Sequence, residues 1–124
     1  MRVSPTPQET FDTVAKHLLT QRKKSHDGFN SCLYRGPRGL KCAIGVLIPD
    51  SEYRSDFENS GIDWLFKKGL WPEGRKRYKN QVELLCALQT IHDSLDISVW
   101  KGALKRFANL EHLEWKFETF NIGA

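Results

Sequence analysis

The clearest pattern along the chain is helical. Phe11, Val14, Ala15, Leu18 and Leu19 recur every three or four residues among polar neighbours, which places them on one face of a helix. Its start is marked too: Thr6 can cap, Pro7 suits the first helical position, and Glu9 can close a capping box. The predicted helix runs over about residues 7–24. The longest signal of this kind follows Gly74, where Val82, Leu85, Leu88, Ile91 and Leu95 predict a helix over about residues 75–95. A shorter helix is predicted over about 60–68, with Gly69 as its stop and Trp71-Pro72 as a turn. A last one carries Trp100, Ala103, Leu104, Phe107 and Ala108 and is capped by Asp96 or a neighbour.

Other segments break this rhythm. Residues 25–30 read as a loop, and the Gly36-Pro37-Arg38-Gly39 turn between two short apolar runs predicts a hairpin of residues 32–35 and 40–42. The apolar run 43–48, closed by Pro49, predicts a short buried helix starting near Cys42. Leu113, Trp115 and Phe117 alternate with Glu114, Lys116 and Glu118, which suits a strand with one face on the core; Leu110, Leu113, Phe117 and Phe120 would suit a helix equally. The expected fold is α+β: one domain over 1–124, with four or five helices around a small antiparallel hairpin that the C-terminal strand can join.

Composition supports a folded chain without disulfides. Of its 124 residues 40% are apolar, including four Trp and seven Phe, and one domain of this size can bury a core. Three cysteines, Cys32, Cys42 and Cys86, cannot all pair within the chain, so reduced thiols in a cytoplasm are expected. The N-terminus lacks the apolar core of a signal peptide, and no apolar run approaches a membrane span. The net charge of +4 is unevenly spread. Acids dominate 50–63, and Lys67, Lys68, Arg75, Lys76, Arg77 and Lys79 dominate 67–79. In a helix over 75–95, Arg75, Lys76, Arg77 and Lys79 would stand at its start, where cations oppose the helix dipole by about 0.3–1 kcal/mol each at an exposed site. Such a placement asks for a compensating anion, either Asp63 or Glu73 or a partner.

The segment from Cys32 to Asp50, C-L-Y-R-G-P-R-G-L-K-C-A-I-G-V-L-I-P-D, with Tyr53, the later Leu88-Gln89-Thr90-Ile91-His92-Asp93 and Trp100, resembles a family of small bacterial and phage or prophage proteins with no assigned activity. The likeness follows the order of segments over about 32–107, and the 64–78 stretch has no counterpart in it. It implies an accessory role of the kind phages direct against host machinery, and it implies no chemistry.

Three kinds of chemistry can be written with these residues. Cys42 at a helix start, His92 as base and Asp93 or Asp50 as orienter would form a nucleophilic hydrolase site, although a buried structural Cys and a core-facing His explain the same residues. Cys32, Cys42 and Cys86 with His26 or His92 could hold zinc, but they lack the close ligand pairs of structural zinc sites, and no metal is expected. The His92-Asp93 pair invites a metal phosphohydrolase reading; the remaining His17, His26 and His112 stand in no suitable partner motif.

Binding is a further possibility. Lys67, Lys68, Arg75, Lys76, Arg77 and Lys79, with Trp71 and Tyr78 interleaved, could neutralise phosphates and stack on bases. The same stretch with Arg35 and Arg38 on the turn, and Trp64, Phe66, Leu70 and Trp71 as apolar anchors, could instead dock on a protein. The bland reading packs Trp71 and Tyr78 inward and leaves a solvated helix face. The leading expectation is a non-enzymatic accessory protein in the host cytoplasm that binds a host protein or complex, such as defence machinery, and modulates or inhibits it. A nucleic-acid or nucleotide binder is the alternative and a Cys/His hydrolase the third reading; no cofactor and no membrane are implied.

Overall fold

A computed structural model describes residues 4–26, 32–58 and 60–119. The first helix, α1 (Pro7–Gln21), forms as its sequence dictates: the Thr6 hydroxyl accepts from the Glu9 amide at 3.1 Å, and the Glu9 carboxylate accepts from the Thr6 amide at 2.8 Å. Its apolar stripe of Phe11, Val14, Ala15, Leu18 and Leu19 is buried throughout. The helix ends at Gln21, three residues before the expected Lys24, and the next residue, Arg22, has a left-handed backbone (φ 55°).

Among the described residues four further helices follow: α2 (Ile62–Lys67), α3 (Pro72–Arg77), α4 (Val82–Ser94) and α5 (Trp100–Leu110). Helix α4 packs against α1, α2 and α5, and α1 also meets α5 and the 3-10 turn Gly45–Leu47, so the core sits around the α1–α4 pair. Gly69 closes the α2 segment in left-handed conformation (φ 68°), where glycine carries no Cβ penalty. No helix among the described residues is long and apolar enough to cross a membrane.

The α+β expectation is overturned. No strand forms among the described residues, and the hairpin reduces to one isolated antiparallel bridge, Arg35 with Lys41; a separate bridge joins His26 to Cys32. The turn itself exists, with the Gly36 amide donating to the Leu40 carbonyl at 2.8 Å. Its arms do not extend into a ladder because side chains take their backbone groups: Glu58 accepts from the Tyr34 and Arg35 amides, and Gln21 receives the Lys41 amide. The expected short helix from Cys42 is the 3-10 turn Gly45–Leu47.

The same substitution removes the C-terminal strand. Residues 113–117 form no regular element, although Phe117 is buried and Leu113 and Trp115 half-buried between exposed Glu114 and Lys116, so the alternation of burial is right. Their partner, however, is a side chain on α1: Gln8 donates to the Glu114 carbonyl at 3.2 Å and accepts the Glu114 amide at 2.8 Å. Phe120 and most of the 25–30 loop lie outside the described residues.

The single helix expected over 75–95 is two helices. Asn80 in left-handed conformation (φ 69°) breaks the chain between α3 and α4, and Asn is among the few side chains that tolerate this region. The break is pinned by Gln81, whose buried amide accepts from the Thr10 hydroxyl at 2.7 Å and donates to the Pro5 carbonyl at 2.8 Å. Pro72, expected in a turn, is the first residue of α3. Gly74 lies inside that helix because the Trp71 ring rests on it; a Cβ there would sit 2.2 Å from the indole. The consequence for charge is direct. Arg75, Lys76 and Arg77 end a helix, where the dipole favours cations, and the conflict posed by the single-helix reading disappears.

Candidate functional site

One thiol, one imidazole and one carboxylate converge at the end of α4. One ligand-type atom from each of Cys32, His92 and Asp93 lies within 4.8 Å of the others. His92 is fully buried and stacks on Trp100, with ring centroids 5.5 Å apart. The backbone amide of Ser25 donates to His92 Nε2 at 3.0 Å, so that nitrogen carries no proton, and Nδ1–H donates to Asp93 Oδ1 at 2.7 Å. The same Asp93 oxygen accepts from the Gln89 amide at 2.6 Å, and the carboxylate also accepts from the Cys32 thiol. Burial alone would raise the Asp93 carboxyl; the bonds from His92, Cys32 and Gln89 outweigh it and hold the group below its ordinary value.

This wiring decides what the cluster can do. A general base needs a free lone pair facing its thiol, and both ring nitrogens of His92 are committed elsewhere. A cation on Nδ1 would force the proton onto Nε2, setting two N–H groups against each other across the 3.0 Å contact with Ser25. The residues therefore do not fit a metal or a Cys/His nucleophile. They fit a structural knot: His92 ties α4 to Ser25, Gln89 accepts the Ile44 amide at 3.0 Å, and Lys24 reaches the Asp93 carbonyl at 3.3 Å.

The thiol nominated by sequence is not part of it. Cys42 is buried beneath the Gly45 amide, which donates to its sulfur at 3.3 Å, and desolvation pushes the thiol up to about 12. A thiol so held is not a nucleophile at neutral pH. Cys86 is half-buried and also raised by burial, and Asp50 is spent in an ion pair with Arg35 at 2.8 Å.

No family model, curated protein or solved structure matches this chain.

The basic stretch divides into interior and surface members. Trp71 is fully buried among Phe57, Phe66 and Tyr78, and Tyr78 is buried with it. Arg77 is bidentate to Glu52 at 2.7 and 2.9 Å, and Trp71 Nε1 donates to the same carboxylate at 2.9 Å. These three hold α3 onto the 49–58 segment and present nothing to a ligand. Arg35 is likewise committed: it bonds the Ile48 carbonyl and Asp50 and lies 4.5 Å from the Tyr53 ring centre. Of the expected anchors, Phe66 is buried, Leu70 half-buried, and Trp64 alone is well exposed, at 48%.

Lys67, Lys68, Arg75, Lys76, Lys79 and, on the turn, Arg38 point to solvent. Lys68 lies 4.8 Å from the Trp64 ring centre. One signal in the sequence went unread. Residues 13–49 carry Lys16, Arg22, Lys23, Lys24, Arg35, Arg38 and Lys41 against the single acid Asp27, and only the tertiary fold shows which of these cations share a surface.

Proposed function

We propose that the chain is a non-enzymatic binding protein of the phage or prophage accessory type, which docks on a host protein in the host cytoplasm and modulates or inhibits it. The observation that carries this reading is the composition of the outer side of the 64–79 segment. Lys67, Lys68, Arg75, Lys76 and Lys79 are exposed there with Trp64, and among the described residues Lys67, Arg75, Lys76 and Lys79 make no ion pair. An exposed Trp with Lys68 against its ring, in a segment rich in exposed cations, is the residue chemistry of a binding hot spot, and it suits an acidic partner surface. Burial of Trp71 and Tyr78 weighs against bases stacking on this stretch, because the aromatic platforms such binding needs are in the core. The saturated hydrogen bonds of His92 weigh against hydrolysis.

The test is capture from a nuclease-treated bacterial lysate, followed by reconstitution with the purified partner. Lys67→Glu/Arg75→Glu/Lys76→Glu should abolish retention with an unchanged Tm, and Trp64→Ala should weaken it by about 30-fold, the scale of a hot spot. Arg77 is left intact in this variant because it is structural. Capture that nuclease abolishes, or that survives the triple substitution, would refute the reading.

A further inference from the structure

We propose that a second surface, formed by the C-terminal end of α1 and the 36–41 turn, binds the phosphate backbone of nucleic acid through Lys23, Arg38 and Lys41, flanked by Arg22. The surface is distinct in sequence from the 64–79 segment. Its cations are brought together by one side chain. The Gln21 amide donates to the Lys23 carbonyl at 2.7 Å and to the Lys41 carbonyl at 2.8 Å, and its oxygen accepts the Lys41 amide at 2.9 Å. His17 adds a bond to the same Lys41 carbonyl at 2.8 Å. The turn carrying Arg38 is thereby fastened to the end of α1, and Lys23 and Lys41 become neighbours although they are distant in sequence.

Backbone conformation offers a second, independent observation. Arg22 and Arg38 are both left-handed, at φ 55° and 56°. Among the described residues the other non-glycine positions of this kind are Asn80 and His112, types that tolerate the region, whereas arginine is not such a type. Glycine would relieve both positions, so each arginine is held there against a backbone preference, which is consistent with a use for its side chain. Arg22, Lys23 and Arg38 are exposed, and Lys23 and Arg38 make no ion pair among the described residues.

The occupant follows from the charge of the surface. Its exposed charged side chains are the cations Arg22, Lys23 and Arg38, and phosphates are complementary to such a surface through charge alone. Three phosphate contacts give a log–log salt slope of about −2.7, so affinity should fall about 40-fold between roughly 50 and 200 mM salt.

The test uses the full chain and a fluorescently labelled short DNA duplex, read by anisotropy across salt. Two double variants are compared, Lys23→Glu/Arg38→Glu and Lys67→Glu/Lys76→Glu, each of which lowers the formal net charge from +4 to 0. The equal change in net charge makes location the only variable. The first pair should reduce affinity at low salt by more than about 10-fold and flatten the slope by nearly 2, and the second should leave both almost unchanged. Lys23→Gln/Arg38→Gln should reproduce the loss at about half its logarithmic size, and a Tm within about 2 °C of the parent excludes misfolding. Absence of duplex binding at low salt overturns the proposal, as does an equal loss in the two Glu pairs. Retention of poly-glutamate in place of the duplex overturns it in favour of an acidic protein. Failure here leaves the 64–79 docking test unaffected, because that test reads different residues in nuclease-treated material.

Discussion

Replacing Glu52 with Ala is the sharpest probe of how the basic stretch is built. The Glu52 carboxylate is 13% exposed and receives the Trp71 indole and both terminal nitrogens of Arg77, whose side chain is 17% exposed. These bonds, the largest influence on Arg77, raise its guanidinium above its ordinary value despite the opposing effect of burial. Removing the carboxylate leaves the indole N–H of a fully buried Trp71 without a partner, a cost of about 1–3 kcal/mol. It also strands Arg77. A fully buried pair broken this way costs about 3–5 kcal/mol, but water reaches this one, and about 1–2 kcal/mol remains after screening. The sum is about 2–5 kcal/mol. Urea unfolding followed by tryptophan fluorescence should then show a midpoint lowered by at least about 0.7 M, with m values of about 1–3 kcal/mol/M. Arg77→Met should cost less, since Trp71 keeps its acceptor, and the double variant should show a coupling of about 1–2 kcal/mol. A Glu52→Ala cost below about 1 kcal/mol, or additivity within about 0.3 kcal/mol, would refute the interior assignment and return Arg77 to the surface set.

Three further outcomes follow from the same geometry. Gly74→Ala would place a Cβ 2.2 Å from the Trp71 ring and should destabilise by about 3 kcal/mol in thermal unfolding, whereas Gly102→Ala, with nothing within 4 Å, should stabilise by about 0.5–1 kcal/mol. Burial lowers the His17 pKa from 6.5, partly offset by its bond to the Lys41 carbonyl. The unfolded chain therefore takes up a proton at this site before the folded chain does. Stability should fall as pH drops below about 6.5, by at most about 1.4 kcal/mol per pH unit, and His17→Gln should flatten that slope in urea titrations at pH 7, 6 and 5. Iodoacetamide mapped by mass spectrometry should label Cys42 last of the three thiols, at a rate set by unfolding, because its pKa is pushed up to about 12 in the core. Preferential labelling of Cys42 in the folded chain would restore it as a nucleophile.

Much of the helical architecture was legible, and the reasons are local. The Thr6-Pro7-Gln8-Glu9 start encodes a capping box that forms as written, and Gly69 ends the α2 segment as expected. The α3–α4 break was not legible, since Trp71, Tyr78, Val82, Leu85 and Leu88 keep helical spacing straight through it. What interrupts the helix is Asn80 together with Gln81, whose partners Thr10 and Pro5 lie about seventy residues away in the chain. The hairpin failed for a similar reason. Its turn chemistry was correctly read, but Glu58 and Gln21 supply the hydrogen bonds that a second strand would have made.

The candidate site divides along the same line. Local spacing and residue type suffice to nominate His92, Asp93 and the cations of 67–79, and to state that Trp71 and Tyr78 could face either way. Only the tertiary fold decides that the Ser25 amide holds the His92 tautomer, that Cys32 and not Cys42 stands beside Asp93, and that Arg77 belongs to Glu52. Helix caps and apolar stripes are written in neighbours a few residues apart, within reach of sequence. The protonation pattern of a buried imidazole and the partner of a cation depend on groups that approach through folding, and their positions exist only once the core has closed.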